Sequence, residues 1–284
     1  MTQRIPIFLV TAALLAGAGS SPAQRPDSQK PKPPVAIENG KVFEKDGRRL
    51  LYGGENASWN FDITDFSLDP AKLHHGLGRE YSKALIAPEF VPASRTEGWL
   101  AGNARVLAVK VGEEVRVYPL NLLIQHKVVN DVVGGRPIMA AYCVLADLSS
   151  VYDRTYYGRP FTFGCSGYTY ASPEIWDGRD SFLLWDRETE SLWLPATGAA
   201  VSGQMKGEAL KVLDEALWSQ TTWGEVKELF PNAVVLTPNQ TPDPPASWTK
   251  CNVAELRSGH PRESTARSVS PRWGGNKGLG GKKP

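Results

Sequence analysis

Sulfur and imidazole are scarce in this chain: its 284 residues include three cysteines and four histidines. That supply excludes a closed zinc site built from four cysteines. Long apolar runs are scarcer still. One spans residues 7–18, IFLVTAALLAGA, and no later segment approaches the length a bilayer crossing needs. No internal repeat of fixed period occurs. Basic stretches interleaved with aromatics are missing as well, so composition does not support nucleic-acid binding.

What is present is a globular composition, 41% hydrophobic and 22% charged, with enough length for a substantial core. Arg4 precedes the apolar run, and Ser21-Pro22-Ala23 supplies small residues where a signal peptidase reads. Residues 1–23 therefore read as a signal peptide cleaved after Ala23, and the protein as exported, periplasmic or extracellular, with no retained transmembrane segment. Residues 24–34, QRPDSQKPKPP, form a proline-rich linker. Residues 238–284 read as a disordered basic tail, because Arg257, Arg262, Arg267, Arg272, Lys277 and Lys282 recur every five positions, matching neither helix nor strand. Cys251 falls in that tail and is expected to be exposed. With four basic and one acidic group in residues 1–34, and six and one in 258–284, residues 35–257 keep 22 basic against 28 acidic groups. The folded body is acidic although the whole chain carries +2.

Within that body, VLAVKVGEEVRVYPL alternates about Gly112-Glu113 as a hairpin with one buried face should. VVNDVVGGRPIMAAYC repeats the device at Gly134-Gly135. A third hairpin is expected around TYYG, joining Leu148–Asp153 to Pro160–Gly164, and a fourth in SFLLWDRETESLWL. Short helices are predicted at PLNLLIQH, opened by proline, and at TTWGEVKELFP, where Thr222 and Glu225 have capping-box spacing. NAVVL reads as a last buried strand. Residues 35–84 form an N-terminal extension packed on the core, and residues 85–237 a β-rich domain. The fold class is mainly β (β-rich α+β), with antiparallel hairpins in a barrel-like or sandwich-like arrangement and a few short helices.

The run YPLNLLIQHKVVNDVVGGRPIMAAYCVLADLSSVYDR, followed by RPFTFGCSG and WDRETESLWLPATGAAVSG, resembles an exported bacterial family, domain of unknown function 3179, over roughly residues 85–236. The resemblance implies no activity but marks positions. Its motifs fall on Tyr118–Leu120, His126 with Val129–Asp131, Tyr142 and Cys143, Tyr152–Arg154, Gly164–Gly167, and Asp186 through Trp193. One departure stands out. Where the family has C-P-L-C this chain has Cys143 and then Ala146, while Cys165 occupies a place where the family usually has an apolar residue.

If TYYG closes its hairpin, Arg154 faces Arg159, Tyr152 faces Phe161 and Ser150 faces Phe163, so Cys165 lies opposite Leu148. Three readings of the cysteine pair stay open. A Cys143–Cys165 disulfide would stabilise by about 3 kcal/mol, two separate buried thiols would pack as small hydrophobes, and a ligand or reactive role would need partners. As ligands, Cys143, Cys165 and His126 would suit copper or zinc; alternatively His126 caps its short helix. As catalysts, Cys143 would be the nucleophile, His126 the base, and Asp131 or Asp153 the orienter.

Candidate binding residues are Tyr142, Arg154, Asp186, Arg187 and Trp193, with the two Asp-Arg pairs equally readable as strand-end ion pairs. Trp176, Trp185 and Trp193 would line a carbohydrate or peptide groove or else pack a core. His74-His75 does not make a metal clamp, since adjacent strand residues face opposite ways. The sequence thus points to an exported binding or structural envelope protein with a thiol or metal site. A thiol-dependent hydrolase, transferase or redox enzyme and an aromatic-lined sugar or peptide binder are the alternatives.

Overall fold

The computed structural model describes residues 38, 39, 41–175, 180–240, 242 and 250–259. Early strands are β1 (Glu38–Asn39), the hairpin β2 (Val42–Lys45) and β3 (Arg48–Leu51), β4 (Phe61–Asp62) and β5 (Leu73–His75). Then come β6 (Leu85–Ile86), β7 (Phe90–Pro92), and β8 (Arg105–Val111) paired with β9 (Glu114–Pro119) across Gly112-Glu113. Helix α1 (Leu120–His126) starts directly after Pro119, which occupies the cap position. Next, β10 (Val128–Val133) and β11 (Arg136–Cys143) turn at Gly134-Gly135, where both glycines have the positive φ that a tight hairpin demands.

The chain continues through β12 (Leu148–Asp153), β13 (Thr155–Tyr156), β14 (Arg159–Pro160), β15 (Phe163–Ala171), β16 (Asp180–Asp186), β17 (Leu192–Leu194) and β18 (Ala199–Ser202). It ends with β19 (Lys211–Val212), β20 (Trp218–Thr222), α2 (Trp223–Leu229), β21 (Val234–Leu236) and α3 (Val253–Gly259). The expected capping box is formed at α2 between Thr222 and Glu225.

Three larger sheets carry the fold, in strand orders β19-β12-β11-β10-β6, β20-β8-β9-β21-β7 and β1-β5-β15-β16-β17-β18. None closes on itself, so the architecture is sandwich-like and not a barrel. Pairing is antiparallel except for β10 with β6 and β21 with β9.

Alternation along β11 shows how the layers stack. Met139, Ala141 and Cys143 belong to the core shared with β16–β18, whereas Ile138, Ala140 and Tyr142 belong to the core shared with β8, β9 and α1. The middle sheet is therefore buried on both faces, which is why IMAAYC reads as a continuous apolar run. The same holds for β8, whose Val106 and Ala108 pack toward α2 while Leu107 and Val109 pack toward β11. This corrects the single-faced hairpin expected there. On the far side, Leu51, Phe61 and Leu73 of the N-terminal strands, with Ile63 just after β4, cover Leu183, Trp185 and Leu192.

Three further expectations change. The third hairpin is a two-residue turn at Tyr157-Gly158, both at positive φ, with Thr155 opposite Pro160 and Tyr156 opposite Arg159. Strand β12 pairs instead with β11 and β19, and Cys165 lies opposite Leu184, while Leu148 lies opposite Cys143. Secondly, Cys251 is buried, its N–H donates to the Glu188 carbonyl at 2.8 Å, and α3 sets Val253 and Leu256 against the core. The expected tail from residue 260 on lies outside the described residues, as do the signal peptide and linker. Thirdly, Trp185 and Trp193 are fully buried and offer no aromatic groove; Trp176 lies outside the described residues.

Candidate functional site

Cys143 ends β11, and residues 144–147 form the loop that returns to β12. Asp147 sits at φ 52° and is held by the Tyr142 hydroxyl (2.7 Å) and by Arg105 (2.8 Å). Cys143 is buried in the core it shares with Phe182 and Leu184 of β16. Cys165 packs against the same core, at an irregularity in the β15–β16 pairing. Lys127, the residue after α1, sits at φ 64° and ψ −38°. That backbone geometry is unfavourable for a side-chain-bearing residue. It is held by Tyr142 N–H to the Lys127 carbonyl (3.0 Å) and by the Lys127 ammonium to the Ile124 carbonyl (2.6 Å).

Cys143 and Cys165 form no disulfide and are not within bridging distance, because each is committed to a different strand partner. Burial pushes the Cys143 thiol up and the Cys165 thiol up to about 11, while burial lowers the Lys127 ammonium. Both sulfurs are thiols at neutral pH. A nucleophilic cysteine requires the opposite shift.

The proposed catalytic partners are dispersed. His126 Nδ1 meets the Lys83 carbonyl at 2.9 Å, so it ties α1 to the preceding segment and does not cap its own helix. Asp131 accepts from the Tyr118 hydroxyl (2.6 Å) and the Val132 N–H (2.7 Å), and burial raises its carboxyl. Asp153 pairs with Arg136 at 2.9 Å and accepts from the Thr155 N–H. Among the described residues no group of three or more His, Cys, Asp or Glu is placed to hold a metal ion, so His126, Cys143 and Cys165 do not form a three-ligand centre.

The remaining motif residues are locks. Arg154 donates to the carbonyls of Ile138, Phe161 and Asp131, at 3.1, 2.8 and 3.4 Å. Asp186 is fully buried and accepts from Thr189 N–H and hydroxyl and from the Trp193 indole (2.8 Å). Arg187 pairs with Glu80 at 3.1 Å, both buried. Sequence reasoning missed Glu80, which no pattern marks, and Asn130, which sits inside the V-N-D motif. Asn130 brackets Phe163, accepting its N–H and donating to its carbonyl, each at 2.8 Å. The glycines of FGCSG serve the same closure: a Cβ on Gly167 would lie 2.1 Å from the Gly78 backbone, and one on Gly164 would meet Glu80 Oε1 at 2.3 Å.

A cleft of about 590 Å³ opens elsewhere, between the N-terminal strands and the turn after β16. Arg48, Asn60, Asp62, Asp65, Glu190 and Lys250 line it. Arg48 pairs with Asp62 (3.7 Å), and Glu190 bridges Lys250 and Arg79 (2.8 Å each). Apart from Thr189 and Glu190, which fall within the Asp186–Trp193 motif, its residues come from distant, motif-free parts of the chain, so no sequence signal marks the cleft as a whole.

The stacked, open sheets and the motif-locked turns define a β-sandwich domain whose shared sequence features are mostly structural. The chain belongs to the family described as protein of unknown function (DUF3179), which matches residues 84–244. No curated protein and no solved structure matches it.

Proposed function

We propose that this protein is an exported binding protein that takes a small ligand carrying both signs of charge, such as a short peptide, in the polar cleft. The observation that carries the reading is the cleft itself, with Arg48 and Lys250 facing Asp62, Asp65 and Glu190 in one concave surface. A carboxylate would exchange with the acids for Arg48, and an ammonium would meet Asp65 and Asp62. Sugars fit less well. None of the described residues lining the cleft is aromatic, and Trp185 and Trp193, the tryptophans expected to stack on a sugar, are interior. An enzymatic thiol is disfavoured because Cys143 is buried and protonated and its base and orienters are elsewhere.

Isothermal titration calorimetry against di- and tripeptides and, in parallel, neutral oligosaccharides tests this. Peptides should give saturable heats that Arg48→Ala weakens by roughly tenfold, as loss of one charged hydrogen bond implies. Heats from the oligosaccharides alone, or from neither panel, would sink the peptide reading.

A further inference from the structure

Thr189 and Glu190, which form one wall of the polar cleft, belong to the turn between β16 and β17, and that turn hangs on a buried carboxylate. Asp186, fully buried at the end of β16, accepts the Thr189 N–H (2.7 Å), the Thr189 hydroxyl (2.7 and 2.8 Å to its two oxygens) and the Trp193 indole N–H (2.8 Å). Its backbone carbonyl accepts the Glu190 N–H at 3.0 Å. Glu190 sits at φ 56°, a left-handed backbone that a side-chain-bearing residue adopts when its surroundings impose it. The same carboxylate reaches a second wall. The Thr189 and Ser191 hydroxyls meet at 2.7 Å, and Ser191 Oγ accepts the Met205 N–H at 3.0 Å. Gly203 lines the cleft at φ 80° and packs so closely that a Cβ there would lie 2.7 Å from Ser191 Oγ.

We infer that Asp186, which does not itself line the cleft, is its positioning residue: the carboxylate form holds Thr189 and Glu190 in place for the ligand, so binding strengthens as Asp186 ionises. This rests on the cleft as the binding site and adds how that site is regulated. A carboxylate accepts every one of these donors, and its charge makes such bonds roughly twice as strong as neutral ones. Once protonated, the group must donate. The Thr189 amide and the Trp193 indole are donors only, so of its three partners the Thr189 hydroxyl oxygen alone can take the new proton. The Thr189 hydroxyl must then turn to Ser191 Oγ, where the Met205 N–H already arrives, and the turn loses its charged anchor. Around Asp186, Glu188 of the same turn opposes ionisation by its charge, with Arg154 beyond it, and Arg187 is paired with Glu80. Tyr156 of β13, its ring 5.2 Å from that of Trp193, is kept protonated by burial. Strand β15 meets Asp186 at Phe163, and β17 and β18 bring no charged residue. Burial pushes the Asp186 carboxyl up to about 7, which puts the exchange in the neutral range. The buried interior favours the neutral acid and the ordered turn favours the anion, so affinity should rise with pH where stability falls.

Full-length protein is titrated calorimetrically with trialanine at pH 5.5 and pH 7.0, a range in which the peptide keeps both its charges. Affinity should be roughly tenfold higher at pH 7.0, because only the ionised fraction is competent to bind. Asp186→Asn should remove the dependence, which separates Asp186 from Glu188. Trp193→Phe withdraws a donor from the anion and should move the midpoint up by about one pH unit. Equal or lower wild-type affinity at pH 7.0, or a dependence that survives Asp186→Asn, overturns the inference. A purely structural Asp186 would make affinity follow stability, which is the greater at pH 5.5. Should trialanine bind at neither pH, or the variants misfold, NMR of the wild type decides: the Thr189 and Glu190 amides and the Trp193 indole N–H should titrate together near pH 7. Absence of heat counts against the cleft as a peptide site, whereas amides and indole that do not titrate together overturn the role of Asp186.

Discussion

Asp186 illustrates how far a single buried group departs from its surface behaviour. It receives three kinds of donor, Thr189 N–H, Thr189 hydroxyl and Trp193 indole, all of which favour the carboxylate. Burial outweighs them and pushes the carboxyl up to about 7. The folded value lies above the unfolded one, so between these two values the unfolded state sheds its proton first. Stability is then greatest below about pH 4 and falls as pH rises toward 7, by up to roughly 4 kcal/mol for a shift of this size. Glu80, Asp131 and Glu188 are raised by burial too and act in the same sense. Urea unfolding at pH 5 and pH 7 should show the wild type less stable at pH 7, and Asp186→Asn should shrink the difference while costing about 1–3 kcal/mol at pH 5 for its lost acceptor. Equal wild-type stability at both pH values would refute this account. The residue was legible in the sequence as part of D-R-x-T-x-S-L-W, but its role was not. Nothing local says that the Asp186 and Trp193 side chains turn inward to meet.

At the scale of elements, the local turns were read correctly wherever glycine or a cap dictated them. Gly112, Gly134 and Gly135 close hairpins because they adopt positive φ at no steric cost, and Thr222 with Glu225 starts α2. Partner choice for β15 was misread, since strand pairing between remote segments is decided by which buried faces match and leaves no local trace. In the fold, β15 turns away from β12 and takes β16 on one edge and β5 on the other. Gly167 makes the β5 side possible: its φ of 84° and its contact with Gly78 admit no Cβ. Gly167→Ala should therefore destabilise by about 2–4 kcal/mol and expose the 76–83 loop to limited proteolysis. An unchanged melting temperature would show that the loop has slack that the packing does not suggest.

For the whole molecule, the proposed export and the proposed binding role are tested separately. Mature protein recovered from the extracytoplasmic fraction of a bacterial host should begin at Gln24 by intact mass, and a retained Met1 would refute the signal peptide. The acidic balance of residues 35–257 keeps such a domain soluble without marking a partner.

By itself the sequence determined the β-rich class, the glycine-dependent turns, α1 and α2, and the family, because these depend on local periodicity, φ preferences and ordered motifs. Tertiary structure alone decided that the middle sheet is buried on both faces, that Asp186, Arg187 and Trp193 are interior locks, and that the cleft exists. It also decided the fate of the lost second cysteine. Ala146 is buried with no sulfur to offer, and Cys165 packs from another sheet against the same core as Cys143 without bridging to it. Residues more than twenty positions apart share that environment only because sheets stack at right distances for side chains from facing strands to meet.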